Sequence, residues 1–130
     1  MSLKMRAFWA LMIFGPLLLL CGQLGAAAMP VPSAPSEAAL SFNATEFKFN
    51  PATASAAANG PVKVTLNNSG SVDHTWVLLD KAGKEAVKLT AKPGAKDTQS
   101  FTAPSAGTYD FICDVPGHKE SGMHGTLTVR

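Results

Sequence analysis

The sequence lacks an apolar run long enough to cross a membrane. Its longest such run, residues 7–20, has about 14 residues, whereas a membrane-spanning helix needs roughly 20. A short basic start precedes the run, and small residues follow it, with alanines at positions 26 and 28 in the arrangement that signal peptidase accepts. These features predict a signal peptide over residues 1–28 and an exported, periplasmic protein.

Cysteine is nearly absent as well, since the chain has only Cys21 and Cys113. Cys21 lies in the predicted signal peptide, so the exported protein would keep Cys113 alone. Oxidising compartments normally pair their cysteines, and a single one excludes a disulfide framework, so the remaining thiol needs another role. Lipidation of Cys21 would instead tether the protein to a membrane, but the bulky leucine directly before it disfavours that processing.

The predicted mature chain also lacks net charge. From Met29 onward, nine lysines and arginines balance nine aspartates and glutamates, so neither nucleic acid nor an anionic membrane surface is indicated as a partner. Residues 29–38 are rich in proline, serine and alanine, which cannot build a core, and we predict an extended linker there. One small domain is then expected over residues 39–130, large enough for one small sandwich or bundle.

This domain contains short stretches of strand pattern separated by turn signals, which is typical of an all-β sandwich or barrel. The stretch PVKVTL alternates apolar and polar residues directly after an Asn-Gly turn. In the next stretch, HTWVLLD, His74 and Trp76 share one face because side chains alternate along a strand. The lysine-rich residues 81–99 are predicted to form a long polar connection, whose middle, KEAVKL, is compatible with a short helix.

The segment DFICDVPGHKESGMHG, residues 110–125, carries the side chains that indicate chemistry. Cys113 ends one predicted strand and Met123 begins the next, both on the side that faces the core. Pro-Gly and Ser-Gly pairs between them predict two turns, so one loop can direct Cys113, His118 and Met123 into a small volume. Such a donor set suits copper, because thiolate and thioether sulfur stabilise Cu(I) and imidazole accepts either oxidation state.

A trigonal copper site needs a second histidine, and the mature chain offers His74 and His124. His124 directly follows Met123, so strand alternation directs it to the opposite face, toward solvent. His74 begins a core strand and shares a face with Trp76. We therefore predict His74 as the fourth ligand.

These stretches resemble the cupredoxins, the small blue-copper proteins of the plastocyanin and azurin class. FNPATASAAANGPVKVTLNNSGSVDHTWVL is similar to the family's N-terminal half and GTYDFICDVPGHKESGMHGTLTV to its C-terminal signature, with a Cys-x4-His-x4-Met spacing nearest to that of auracyanin-like bacterial members. The resemblance implies a Greek-key β-sandwich with one copper ion per chain that cycles between Cu(I) and Cu(II). It also implies that His74, Cys113 and His118 lie in the trigonal plane, with Met123 as a long axial ligand.

Two positions depart from the commonest pattern of the family. Many cupredoxins have asparagine after the first histidine and serine or threonine after the cysteine, and these two side chains bond to each other. Here the positions hold Thr75 and Asp114. We expect the Thr75 hydroxyl to donate to the Asp114 carboxylate. This would preserve the link between the two segments, with donor and acceptor exchanged, and would help to set the reduction potential of the metal.

Each candidate ligand also has an ordinary explanation. A free cysteine packs as a small hydrophobic residue, and a lone methionine or histidine at the end of a strand is more often core than ligand, so the copper prediction depends on their coincidence. Zinc is disfavoured because its structural sites use four Cys or His ligands and a thioether is a poor fourth. A cysteine hydrolase would need an open cleft and a base that activates Cys113. His118 is close in sequence, but no oxyanion helix or Gly-rich elbow is visible, so we predict no enzyme and no organic substrate.

The leading functional prediction is an exported, monomeric one-electron carrier between a donor and an acceptor redox protein. We expect docking at the copper end, around Pro116, Gly117 and His118, where the edge of the histidine ring would reach the surface. The proline-rich linker would suit membrane tethering. The alternative is a periplasmic copper-delivery protein, but delivery sites tend to be open and rich in Met and His, whereas the mature chain has only Met29 and Met123 as methionines.

Overall fold

A computed structural model describes Ala34 and residues 36–130, so the predicted signal peptide and most of the predicted linker lie outside the described residues. This part of the chain contains nine strands, and none of its segments is a helix that could cross a membrane. The strands are β1 Ala38–Thr45, β2 Lys48–Asn50, β3 Thr53–Ala56, β4 Pro61–Asn68, β5 His74–Leu79, β6 Glu85–Ala91, β7 Lys96–Thr102, β8 Gly107–Ile112 and β9 His124–Val129.

The strands form two sheets, one in the order β2-β1-β4-β7 and the other in the order β3-β9-β8-β5-β6. Most neighbours are antiparallel, but β1 pairs with β4 and β3 pairs with β9 in parallel. Connections such as β4 to β5 and β6 to β7 cross from one sheet to the other, as in Greek-key sandwiches. The predicted all-β sandwich is thereby confirmed.

The core follows from the alternation of side chains along the strands. In β4, for example, Val62, Val64 and Leu66 are fully buried while the residues between them face outward, which matches the period of two in PVKVTL. Three aromatic rings fill the space below one end of the sandwich, with centroid separations of 4.8 to 5.4 Å: Phe42, Trp76 and Phe111. This packing provides a rigid floor for the loops above it.

The segment KEAVKL, residues 84–89, does not form the short helix with which its composition was compatible, because all of it after Lys84 belongs to strand β6. Val87, Leu89 and Ala91 are buried and alternate with exposed neighbours, and the strand pairs with β5 along its length. Burial of one face against the core outweighs the helix propensity of Lys, Glu and Ala. The segment that the sequence presented as a long polar connection therefore contains β6 and the beginning of β7.

The pairing of β5, β6, β8 and β9 determines which chain segments meet at one end of the sandwich. His74 is the first residue of β5, Cys113 directly follows β8, and Met123 directly precedes β9. The backbone amide of Cys113 donates to the carbonyl of Met123 at 3.0 Å, so the β8–β9 ladder continues to the base of the loop. Residues distant in sequence are thus brought together at this end.

Candidate metal centre

The structure brings together three of the four predicted ligands as a compact cluster. One candidate ligand atom each of His74, Cys113 and His118 lies within 4.8 Å of the others. The Sγ of Cys113 is 3.4 Å from Nδ1 of His118, and the two imidazole rings have their centroids 5.0 Å apart. All three residues are buried, and His74 and Cys113 have no exposed surface.

The loop between β8 and β9 is held by its own hydrogen bonds. The His118 amide donates to the carbonyl of Val115, and the Met123 amide donates to the carbonyl of His118, each at 3.0 Å. Gly117 and Gly122 have φ angles of 82° and 105°, a region that favours glycine, which explains the Pro-Gly and Ser-Gly pairs in the sequence. The fourth predicted ligand, Met123, has no exposed surface and is bonded through its backbone to both Cys113 and His118.

Unsatisfied nitrogen atoms provide a test of whether these residues fit a metal. Both ring nitrogens of His74 are buried, and neither has a hydrogen-bond partner among the described residues. Leaving buried polar atoms unpaired costs about 1–3 kcal/mol each, and a metal ion bound to this imidazole would satisfy one of the two nitrogens. A thiol, two imidazoles and a nearby thioether form a donor set that suits copper better than zinc.

Burial lowers the pKa of His74 below its ordinary value of 6.5, and the adjacent His118 acts in the same direction, whereas Glu46 and Asp73 oppose the shift. His74 is therefore neutral at neutral pH. A neutral imidazole keeps a lone pair for a metal ion, and metal binding does not first have to displace a proton from it.

The bond predicted between Thr75 and Asp114 is present in the structure. The Thr75 hydroxyl donates to Asp114 Oδ1 at 2.6 Å and accepts a bond from the Asp114 amide at 2.9 Å. The Thr75 amide in turn points at Cys113 Sγ, 3.4 Å away. This arrangement ties the segment that carries the first histidine to the segment that carries the cysteine.

Asp114 also forms an ion pair with a lysine that the sequence did not link to the site. Lys88 of β6 places Nζ 2.5 Å from Asp114 Oδ2. Burial acts to raise the pKa of Asp114, but the bonds from Lys88 and Thr75 outweigh it and hold the pKa below its usual value. The hydrogen bond to Asp114 likewise raises the pKa of Lys88. The pair therefore stays ionised at neutral pH.

The two-residue turn between β1 and β2 lies over the histidines and was also missed. Glu46 Oε1 is 3.9 Å from His74 Nε2, and the Phe47 ring meets the His118 ring edge-on with centroids 4.9 Å apart. Bonds to Glu46 from the backbone, chiefly from Ser71, lower its pKa from 4.5 to about 2. The sequence carries no turn signal at Glu46 and Phe47, and nothing in it places these residues beside the distant loop.

The surface near the site exposes less of His118 than we expected. Pro116 and Gly117 are exposed, whereas His118 is only 7% exposed. Phe47, which is 42% exposed and contacts the His118 ring, presents an aromatic surface at this position. His124 points to solvent, as strand alternation predicted.

A two-sheet β-sandwich with a buried His, Cys, His and Met group at one end defines a class of small copper-binding proteins. Comparison with protein families agrees, because residues 11–129 match the family described as Cupredoxin-like domain. The chain therefore belongs to the cupredoxin-like family. Membership and the donor set together support one copper ion per chain.

Curated relatives extend the similarity to individual proteins. The chain is 29% identical over 101 residues to the copper-resistant cuproprotein CopI of Rubrivivax gelatinosus. This match covers 64% of this chain and 60% of that protein. It is 34% identical over 92 residues to auracyanin-B of Chloroflexus aurantiacus, a match that covers 51% of this chain and 39% of that protein. It is 32% identical over 88 residues to rusticyanin of Acidithiobacillus ferrooxidans, a match that covers 56% of this chain and 57% of that protein. The matched regions thus span 39% to 60% of these relatives' lengths.

Solved structures show the same fold. An auracyanin from Roseiflexus castenholzii superposes with a TM-score of 0.66 at 22% identity, covering 74% of this chain and 99% of that one. Auracyanin B gives a TM-score of 0.65 at 25% identity, with coverages of 77% and 93%. A copper-containing nitrite reductase from Thermus scotoductus also matches, with a TM-score of 0.59, 21% identity and coverages of 73% and 28%. The resemblance to auracyanin-like members is confirmed, while the fold alone also occurs in an enzyme.

Proposed function

We propose that the protein is an exported one-electron carrier in which His74, Cys113, His118 and Met123 hold a single copper ion. The observation that carries this proposal is the buried cluster of one thiol and two imidazoles whose ligand atoms lie within 4.8 Å of one another. A bound copper ion would supply a one-electron couple between Cu(I) and Cu(II), for which this mixture of soft and borderline ligands is suited.

The residues around the cluster are suited to holding its geometry constant. Backbone hydrogen bonds join Met123 to both Cys113 and His118. A side-chain hydrogen bond from Thr75 links the strand of His74 to Asp114. A donor set fixed in this way has little freedom to rearrange when the charge of the metal changes. Small rearrangement favours fast electron transfer, so the rigidity supports a carrier function.

Redox partners would dock at the end of the sandwich that holds the cluster. Pro116 and Gly117 are exposed there, and Phe47 covers His118 with an aromatic ring that remains 42% exposed. Exposed apolar side chains in a docking surface can be buried against a partner without the cost of desolvating a charge. We therefore extend the predicted electron-transfer surface, Pro116, Gly117 and His118, to include Phe47.

Catalysis is not part of the proposal, although the fold occurs in an enzyme. His74 and Cys113 have no exposed surface, and His118 has little, so an organic substrate has no access to the thiol or to either imidazole. Electrons can travel through the covering side chains, whereas a substrate cannot. The enclosure of the cluster therefore favours a carrier without a substrate of its own.

Export rests on the sequence of residues 1–28, whose basic start, apolar run and small residues are those of a signal peptide. The proposed location is the periplasm, and the proline-rich residues 29–38 would allow a tethered protein to reach partners at some distance from the membrane.

Copper delivery is the second candidate, and the similarity to a protein named as a copper-resistant cuproprotein favours it. A delivery site must release its metal to a partner, which requires access to the ligands. The buried cluster argues against such release, because displacing copper from it would require the β8–β9 loop to open.

A chelation experiment distinguishes the two functions. The copper-loaded protein would be incubated with a mild chelator while its reduction and reoxidation by small redox agents are followed. Retention of copper with fast, repeated cycling supports the carrier, whereas rapid and reversible loss of copper supports delivery. Cys113→Ser is the matched control that should lose copper under both assays.

A further inference from the structure

We infer that Glu46 is a positioning residue for His74, holding the imidazole with Nε2 toward its carboxylate and Nδ1 toward copper. The inference deepens the proposed function and rests on it, because it assigns a role beside one of the proposed ligands. Glu46 lies in the β1–β2 turn, 28 residues before His74 in the numbering, and it has no place in the ligand motif.

The surroundings of His74 Nε2 favour this role for Glu46. This nitrogen is fully buried and has no hydrogen-bond partner among the described residues, and a carboxylate oxygen of Glu46 lies 3.9 Å away. No described group bonds to Nε2, and the 3.9 Å separation, although longer than the roughly 2.7–3.2 Å of a hydrogen bond, leaves the carboxylate oxygen as the charged group beside this nitrogen. The carboxylate therefore faces the ring directly, and the other nitrogen, Nδ1, is left for the metal.

The carboxylate is itself held in place. Glu46 Oε1 accepts bonds from the Ser71 amide at 2.5 Å and from the Ser71 hydroxyl at 3.1 Å. Ser71 lies in the loop that leads into β5, three residues before His74. The loop that delivers the histidine thus also fixes the anion beside it, which is unexpected for a glutamate that merely projects into solvent.

Gly70 makes the approach possible. A Cβ atom at this position would lie 2.5 Å from Glu46 Oε1 and 2.8 Å from His74 Nε2. Both distances are shorter than van der Waals contact allows, so any side chain would displace the carboxylate or the ring. The absence of a side chain at position 70 is therefore matched to the pairing of Glu46 with His74.

An anion beside Nε2 changes how strongly Nδ1 can bind a metal ion. It favours the tautomer that carries its proton on Nε2, and it increases the electron density that Nδ1 offers to a metal. Outer partners of this kind typically contribute 10- to 100-fold to metal affinity. Because stronger donation stabilises Cu(II) more than Cu(I), the carboxylate should lower the reduction potential.

Two substitutions separate the charge from the hydrogen-bond acceptor. Glu46→Leu removes both, and we expect Cu(II) affinity to fall at least tenfold more than Cu(I) affinity, so that the potential rises by about 59 mV or more. Glu46→Gln keeps an acceptor oxygen and should restore part of the effect. Glu37→Gln, at the exposed residue directly before β1 and so at the opposite end of that strand from Glu46, is the control and should leave both affinities unchanged.

A readout without copper keeps this test independent of the proposed function. In ¹⁵N NMR spectra of the apoprotein, we expect the His74 Nε2 proton to be protected from exchange in wild type and in Glu46→Gln, and to lose protection in Glu46→Leu. Gly70→Ala, which should push the carboxylate away, is expected to match Glu46→Leu. Identical protection and identical potentials in wild type and Glu46→Leu would overturn the inference, whereas a wild-type protein that does not bind copper would overturn the proposed function instead.

Discussion

The Thr75 hydroxyl donates to Asp114 Oδ1 at 2.6 Å, and the Asp114 amide returns a bond to the same hydroxyl at 2.9 Å. Thr75 directly follows His74 and Asp114 directly follows Cys113, so two bonds connect the neighbours of two proposed ligands. Because the two segments belong to distant parts of the chain, the pair acts as a clamp on the relative position of the imidazole and the thiol.

Removing the clamp should alter the copper site without abolishing it. Thr75→Val keeps the shape of the side chain but removes the hydroxyl, which leaves the Asp114 carboxylate with a stronger field at the nearby thiolate. We expect copper to remain bound and the reduction potential to fall by roughly 40 mV, which corresponds to about 1 kcal/mol of differential hydrogen bonding. Cyclic voltammetry measures this shift; an unchanged potential, matching that of the exposed control Thr128→Val, would rule out a tuning role.

Lys88 provides the counter-charge to Asp114, with Nζ 2.5 Å from Oδ2. Lys88→Gln should leave the carboxylate uncompensated beside the thiolate, so the reduction potential falls while thermal unfolding changes little, as expected for a pair at the surface. Lys84→Gln removes the same charge from a position without an ion pair in the described structure. Equal shifts in the two variants would indicate a general effect of net charge and would contradict the specific role of Lys88.

Phe47 should influence how quickly electrons are exchanged between molecules. The ring is 42% exposed and contacts His118 edge-on, so Phe47→Ala removes apolar surface from the proposed docking area. If the ring contributes about 1 kcal/mol to the encounter, the self-exchange rate falls about fivefold. NMR line broadening in mixtures of reduced and oxidised protein reports this rate.

The control for that measurement is Leu79→Ala, at the opposite end of β5 from His74. A slower exchange in this variant, or an unchanged rate in Phe47→Ala, would place docking elsewhere on the molecule.

Gly125 is expected to contribute to the stability of the fold. A side chain there would overlap the carbonyl oxygen of Ala52 and the ring of Phe111, which belongs to the aromatic floor of the site. Gly125→Ala should therefore destabilise the apoprotein by about 1–3 kcal/mol or more, the usual cost of overpacking. Urea unfolding gives the value; the exposed neighbour Thr128→Ala should stay close to wild type, and a stable Gly125→Ala protein would show that β9 can move away from Phe111.

The proposed ligands were accessible to sequence reasoning because chemistry and spacing coincide in them. Cys113, His118 and Met123 occupy one short loop with turn signals between them, and His74 was the remaining histidine on a core-facing side. The Thr75–Asp114 bond was predictable for the same reason, since each residue adjoins a proposed ligand in the chain.

Glu46 and Lys88 escaped prediction because their roles depend on pairings between distant strands. Lys88 reaches Asp114 only because β6 returns along β5, in a segment whose composition was compatible with a helix. Glu46 reaches His74 only because β1 pairs in parallel with β4, and parallel pairing has no short-range turn signal in the sequence. The sequence therefore indicated the donors, while the groups that orient them required the three-dimensional fold.

The most direct test of the account is the visible absorption spectrum of the protein loaded with Cu(II), recorded beside Cys113→Ser. We predict an intense thiolate-to-copper band in the wild-type protein and its loss in the variant, because Cys113 is the only cysteine among residues 36–130 and belongs to the cluster. If neither protein shows such a band, the buried cluster is ordinary packing and the copper carrier is contradicted.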